Sequence, residues 1–171
     1  MDAIKNILTR ESVRTYSNKK IDKNDLDIIK KCATSGPSCL NKKDYKFIII
    51  EDLNEIKKLK ELVGPSARPL ETATLAIVVC MDYSRAYEVA KDYSIIDATL
   101  ASQNIMLAAN ALNIGTCMLG LYPQMDRVNN VSKHYNLNND IVPLCIISLG
   151  YKMEETMGKD HYEEDRFVYF K

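Results

Sequence analysis

A chain of 171 residues with 46% hydrophobic side chains can bury one core of ordinary domain size, which excludes a disordered chain. Its 23 Lys and Arg balance 23 Asp and Glu, and zero net charge argues against a general nucleic-acid binder. No apolar run is long enough to span a membrane, the N-terminus lacks a signal-peptide core, and the five cysteines include no C-x-x-C pair, so a soluble, cytoplasmic protein without a disulfide framework or structural zinc is expected.

In chain order, Asp2 can cap a first helix whose Ile4, Ile7 and Leu8 share a face. The stretch TRESVRTY follows, with Arg10, Ser12 and Arg14 two apart. Asp22 caps a second helix with Leu26, Ile29 and Ala33 inward, and Gly36 reads as its stop. PSCLNKKD (37–44) reads as a loop, and YKFIIIE (45–51) as a buried strand. NEIKKLKELV (54–63) is a helix ended by Gly64-Pro65, and ATLAIVVCM (73–81) is a second buried strand. Residues 93–112 form the longest helix, apolar or small around most of its circumference and so expected to be buried all round, with Gly115 as its stop. TCML (116–119) is a short strand, Pro123 opens a helix to about Tyr135, and VPLCIISLGY (142–151) is a last buried strand. The final twenty residues read as an extended arm ending in RFVYFK.

Continuously apolar strands imply a sheet covered on both faces, and without G-x-G-x-x-G at strand–helix spacing a Rossmann domain is a poor fit. The expectation is α+β: a single domain built as a three-layer α-β-α sandwich. In an extended segment, residues two apart face the same way at about 6.6 Å. Arg10, Ser12 and Arg14 would then line one side, two forked guanidiniums bracketing a hydroxyl, a geometry suited to an anion. The plainer reading of R-x-S-x-R alone is a solvated charged turn.

R-E-S-V-R-T-Y followed by P-S-C-L-N resembles the start of the nitroreductase family of FMN-dependent oxidoreductases. DATLASQNIMLAANALNIGTC resembles that family's central helix and next strand, VPLCIISLGY its last core strand, and GKDHYEEDRFVYF its C-terminal arm. The resemblance implies a mixed central sheet, an obligate homodimer with FMN at the interface, and NADH or NADPH as electron donor. It also implies that Arg10, Ser12 and Arg14 hold the FMN phosphate and the pyrimidine side of the ring. Pro37, Ser38, Cys39 and Asn41 match the loop that the partner subunit lays over the isoalloxazine. The backbone of Cys117, Met118, Leu119 and Gly120 would lie against the ring, and Lys159 with His161 would complete phosphate binding, His161 standing where relatives carry Arg. No side chain is assigned as a catalytic acid or base. The implied reaction is ping-pong transfer from NAD(P)H to a small acceptor such as a nitroaromatic or quinone.

The chain departs from the family pattern in two places. Lys43, Asp44 and Tyr45 replace a Q-P-W common in relatives, and the short stretch between Met81 and the central helix leaves no room for a helical lid. Residues 64–72 carry no clear match to the Asn and Lys that some relatives place near the ribityl chain; Arg68 could substitute but is not assigned. The dimer reading places the Ala-rich face of residues 98–109 near the two-fold axis and adds Phe167–Phe170 to the partner as a strand, the arm of residues 152–171 being exchanged between subunits. Two alternatives stand beside the enzyme: a non-catalytic FMN-binding dimer acting as sensor or store, and a cysteine nucleophile at Cys39 with His134 or His161.

Overall fold

The computed structural model describes residues 2–153 and 161–170. Three aspartates start three helices by accepting backbone N–H groups that a helix leaves without partners. Asp2 accepts from Ile4 and Lys5 to start α1 (Ala3–Thr9), Asp22 from Asn24 to start α2 (Lys23–Ala33), and Asp52 from Asn54 and Glu55 to start α3 (Leu53–Val63). Gly64 ends α3 at φ 88°, a backbone shape that favours glycine. The strands are β1 (Tyr45–Ile50), β2 (Leu75–Asp82), β3 (Ile114–Gly120) and β4 (Ile141–Tyr151), interleaved with α4 (Tyr93–Ala111) and α5 (Met125–His134).

The sheet order is β1-β2-β4-β3, every neighbouring pair antiparallel. The mixed sheet implied by the resemblance is therefore corrected: the parallel pairing is an isolated bridge between Ser12 and Thr116, outside the named strands. All eight residues of β2 are buried, and its side chains alternate between two cores. Leu75, Ile77, Val79 and Met81 meet α2 and α4; Ala76, Val78 and Cys80 meet α3 and α5. Helices on both faces of the sheet give the expected α-β-α sandwich.

Local expectations fail at three places. Gly115 lies inside β3, and Asn113 (φ 59°) takes the left-handed position after α4. Pro123 follows a cis peptide bond with Tyr122, and α5 begins two residues later. α4 is not buried all round: Ala98, Ala101, Ser102 and Ala109 pack onto the chain's own core, while Ile96 and Leu100 are exposed. Ala98, Ala101, Ser102 and Ala109 of the Ala-rich face are thus occupied within the chain. α1 buries none of its residues, leaving Ile4, Ile7 and Leu8 exposed. It is tied to α4 by polar bonds instead, from Asn6 Nδ2 to the Leu107 carbonyl (3.0 Å) and from Asn110 Nδ2 to Asn6 Oδ1 (2.9 Å).

Between α1 and α2 the chain runs extended along the free edge of β3. The Val13 N–H donates to the Thr116 carbonyl at 2.8 Å, and Ser17 N–H to the Tyr151 carbonyl at 2.9 Å. Buried Tyr16 places its hydroxyl 2.6 Å from the Val13 carbonyl and 2.8 Å from Ser148 Oγ. Two glycines make room: a Cβ at Gly115 would sit 2.8 Å from Val13 Cβ, and one at Gly150 2.7 Å from Tyr16 Cβ. Gly150→Ala must push the Tyr16 side chain near its root, where it cannot swing away. We expect a loss of roughly 1–3 kcal/mol, as for overpacked cores, read as a lower midpoint in chemical denaturation. An unchanged midpoint would mean that this segment is not held against the sheet.

Of the arm, residues 161–170 are exposed, with a 3-10 turn at Glu164–Arg166. Residues 154–160, including Lys159, lie outside the described residues.

Candidate functional site

The extended segment and β3 build one wall of a cleft of about 350 Å³. Arg14, Ser66, Arg68, Pro69, Arg127 and the run Cys117–Gly120 line it. β3 is an edge strand, and beyond Thr116 no other described strand covers that edge. Because Thr116 turns its carbonyl outward to Val13, the two-residue period turns the Met118 and Gly120 peptide groups to the same free edge. A Cβ built on Gly120 meets nothing within 4 Å, so the space there is open.

The charge of the cleft is one-sided. Among the described residues, three guanidiniums line it and no carboxylate does. Arg14 spends one donor on the Ser12 carbonyl (3.2 Å) and Arg127 one on the Gly120 carbonyl (3.4 Å). Among the described residues, none of the three arginines is in an ion pair with an acid. Arg14, the Ser12 hydroxyl and Arg10 all lie close enough to Cys117 to draw its thiol pKa down, although burial outweighs them and leaves it raised. Of the sequence-predicted trio, Arg14 lines the cleft itself, while Arg10 and Ser12 lie outside its lining on the Cys117 side. A thiol held up by burial is a poor nucleophile, so Cys117 offers no covalent chemistry here.

The loop Pro37–Asn41 does not reach this cleft within one chain. It folds over the start of α4, where the Asp97 carboxylate accepts the Cys39 N–H at 2.7 Å. Ser38 Oγ accepts the Lys43 N–H at 3.0 Å, and Arg85 donates to the Lys42 carbonyl at 3.2 Å through Nη2. Leu40, Asn41 and Lys43 all have positive φ (48°, 55° and 51°). Left-handed backbone costs a non-glycine residue roughly 1–2 kcal/mol, so these fastenings hold a strained shape. His161 is exposed and lines no part of the cleft.

The cysteine–histidine alternative gains no support. His134 on α5 sits 2.5 Å from Glu55 on α3, where it clamps two helices on the far side from the Cys39 loop. The sequence reading left Arg68 unassigned and passed over Ser66, Pro69 and Arg127. Arg127 sits in the first turn of an amphipathic helix, where an arginine reads as solvated surface. Among the described residues there is no cluster of three metal-ligating side chains, and no helix is long and apolar enough to cross a membrane.

This chain is similar to known proteins along nearly its whole length. The family model described as the nitroreductase family matches residues 7–70 and 63–151. An Archaeoglobus fulgidus protein named, provisionally, an NADH dehydrogenase/NAD(P)H nitroreductase is 36% identical over 97% of this chain and 93% of its own. A Clostridium acetobutylicum structure, provisionally an NADH oxidase, superposes with a TM-score of 0.90 at 33% identity, covering 99% of each chain. An FMN-dependent nitroreductase structure from Clostridium difficile R20291 superposes with a TM-score of 0.87 at 26% identity, covering 98% of each. With the family model and a relative above 30% identity both spanning most of its length, the chain belongs to the nitroreductase family.

Proposed function

We propose that this chain is an FMN-dependent oxidoreductase in which NADH or NADPH gives two electrons that pass to a small acceptor such as a nitroaromatic or a quinone. The observation that carries the proposal is the cationic cleft along the free edge of β3, with Arg14, Arg68 and Arg127 around it. When bound, FMN supplies the hydride exchange itself. The residues present fit such a group. Arg10 and Ser12 would hold its phosphate together with Lys159 and His161 of the arm. Arg14 and Arg68 would serve the pyrimidine edge, where a guanidinium offers forked donors to a carbonyl and stabilises negative charge. The Met118 and Gly120 N–H groups on that edge would supply backbone donors along the ring, and the open space at Gly120 would let a flat ring approach.

A second copy of the chain completes the site. One chain gives a cleft of about 350 Å³ with no lid, near the small end of ligand sites. The loop Pro37–Asn41 lies too far away to cover it in the same chain. We therefore place the loop of one copy over the flavin of the other in a homodimer. One open site suits donor and acceptor binding in turn, which predicts parallel double-reciprocal plots.

The test is the visible spectrum of the purified protein with added FMN, then with NADH or NADPH under anaerobic conditions. Flavin bands that shift on binding and bleach with a nicotinamide support the proposal. Bound flavin that no nicotinamide bleaches would point to a binding module, and no binding would end the cofactor assignment.

A further inference from the structure

Two buried carboxylates meet behind the Pro37–Asn41 loop. Asp97 is 3% exposed and Asp44 1%. Asp97 accepts the Cys39 N–H at 2.7 Å, and Ser94 donates its hydroxyl to Asp44 Oδ2 at 2.5 Å. The other Asp44 oxygen, Oδ1, is buried with no donor in reach. Its carboxylate is the neighbour whose interaction, after burial, raises the Asp97 carboxyl. Two acceptors facing each other in a dry site are satisfied together when one proton lies between them.

We propose that Asp97, backed by Asp44, is the positioning residue that holds the strained loop of residues 37–43 in the shape that meets a flavin, and that the two carboxylates do so as a pair sharing one proton. The proposal rests on the flavin reading above. Its physical basis is the mismatch between backbone strain and fastening. Leu40, Asn41 and Lys43 all adopt left-handed backbone, and a short polar loop with that geometry relaxes unless something fixes it. The Cys39 N–H on Asp97 fixes the loop's entry, and Arg85 on the Lys42 carbonyl fixes its exit. Asp97 stands near the start of α4, so the loop is tied to the longest helix of the core rather than to another loop.

The pair is proton-dependent in a defined direction. Burial, followed by the contact with Asp44, pushes the Asp97 carboxyl up to about 6, while the Cys39 N–H pulls it down. A carboxyl raised in the folded state contributes fully at low pH and loses its contribution as pH rises through that value. The other groups facing the pair do not reverse this. Ser94 and the Cys39 N–H are neutral donors, and the Tyr45 phenol, raised by its own burial and by both aspartates, stays neutral. Arg85 is the nearby cation, and its guanidinium is committed to the Lys42 carbonyl. Above the transition two buried negative charges face each other, and the loop's hold loosens.

The test compares the full-length wild type with Asp97→Ala and Asp97→Asn. Two quantities are read: the FMN dissociation constant by flavin fluorescence, and protection of the Cys39 amide from hydrogen exchange. Loss of one charge-assisted hydrogen bond predicts about tenfold weaker FMN binding in Asp97→Ala and loss of Cys39 protection. Asp97→Asn keeps an acceptor oxygen and restores both. Because asparagine carries no charge, the ratio of wild-type to Asp97→Asn dissociation constants rises between about pH 5 and about pH 8, with ligand titration cancelling. Wild-type affinity and a protected Cys39 amide in Asp97→Ala would overturn the proposal, as would a ratio independent of pH. Should Asp97→Ala fail to fold, the pH-dependent ratio decides alone. If the wild type binds no FMN, the flavin reading fails, and protection of the Cys39 amide across pH still judges the anchor.

Discussion

Replacing Arg10 and Arg14 together by alanine is expected to weaken FMN binding by roughly two orders of magnitude or more, since each lost hydrogen bond from a charged donor is worth about 1.5–3 kcal/mol. The effect should be large because, among the described residues, neither guanidinium is held by an acid of its own. Among the described residues, Arg14 donates to a backbone carbonyl and no carboxylate lines the cleft. Their charge is thus available to a ligand, and no neighbour takes their place when they are removed. The fold should survive. Arg14 is exposed, and the segment's grip on the sheet comes from Val13, Tyr16 and the paired backbone rather than from the arginines. The measurement is a fluorescence titration of FMN against wild type and double variant at two salt concentrations, with far-UV circular dichroism as the folding check. Wild-type affinity in a folded double variant would return the R-x-S-x-R stretch to a solvated turn.

The strands and helix starts were legible because each rests on local physics. Apolar runs such as LAIVVCM cannot stay in water, and an aspartate before an amphipathic stretch satisfies free N–H groups wherever it occurs. The alternation at residues 10–14 was legible for the same reason, since an extended backbone alone sets which side chains share a side. What failed depended on neighbours far along the chain. The small residues of α4 could face their own sheet or a second subunit equally well by periodicity. Only the packing of Ala98, Ala101 and Ala109 onto the chain's own core decides it. Arg68 and Arg127 were opaque because a lone arginine in a polar stretch reads as surface until the tertiary fold brings it to the same cleft as Arg14. The close packing of Tyr16 over Gly150 joins residues too far apart in sequence for any local pattern to reveal. The Asp44–Asp97 pair is of the same kind, two ordinary aspartates until burial makes them share an environment.

Charging the exposed face of α1 should then separate the subunits. In the double variant Ile7→Glu, Leu8→Glu, we expect a folded monomer with FMN affinity at least about tenfold lower, because each apolar side chain buried at an interface contributes roughly 1.5–3 kcal/mol. A two-fold interface repeats every contact, so the two substitutions remove four apolar side chains and place four carboxylates in their stead. The single chain leaves α1 with its apolar face uncovered. Ile4, Ile7 and Leu8 are 69%, 58% and 69% exposed on a helix that buries nothing, with Ile96 and Leu100 of α4 also uncovered. A helix of seven residues has too little internal hydrogen bonding to persist unsupported, and the Asn6 bonds to Leu107 and Asn110 are its side-chain ties to the core. Those ties do not involve Ile7 or Leu8, so the variant keeps its docking and its circular dichroism while losing its partner. Light scattering after size-exclusion chromatography reports the mass, and the FMN titration reports the site. The coupling of the two readings is the informative part. If the loop over the flavin comes from the other copy, dissociation must cost flavin affinity even though α1 lines no part of the cleft. A monomer that binds FMN as tightly as wild type would show that one chain holds a complete site, and a persistent dimer would move the interface off α1.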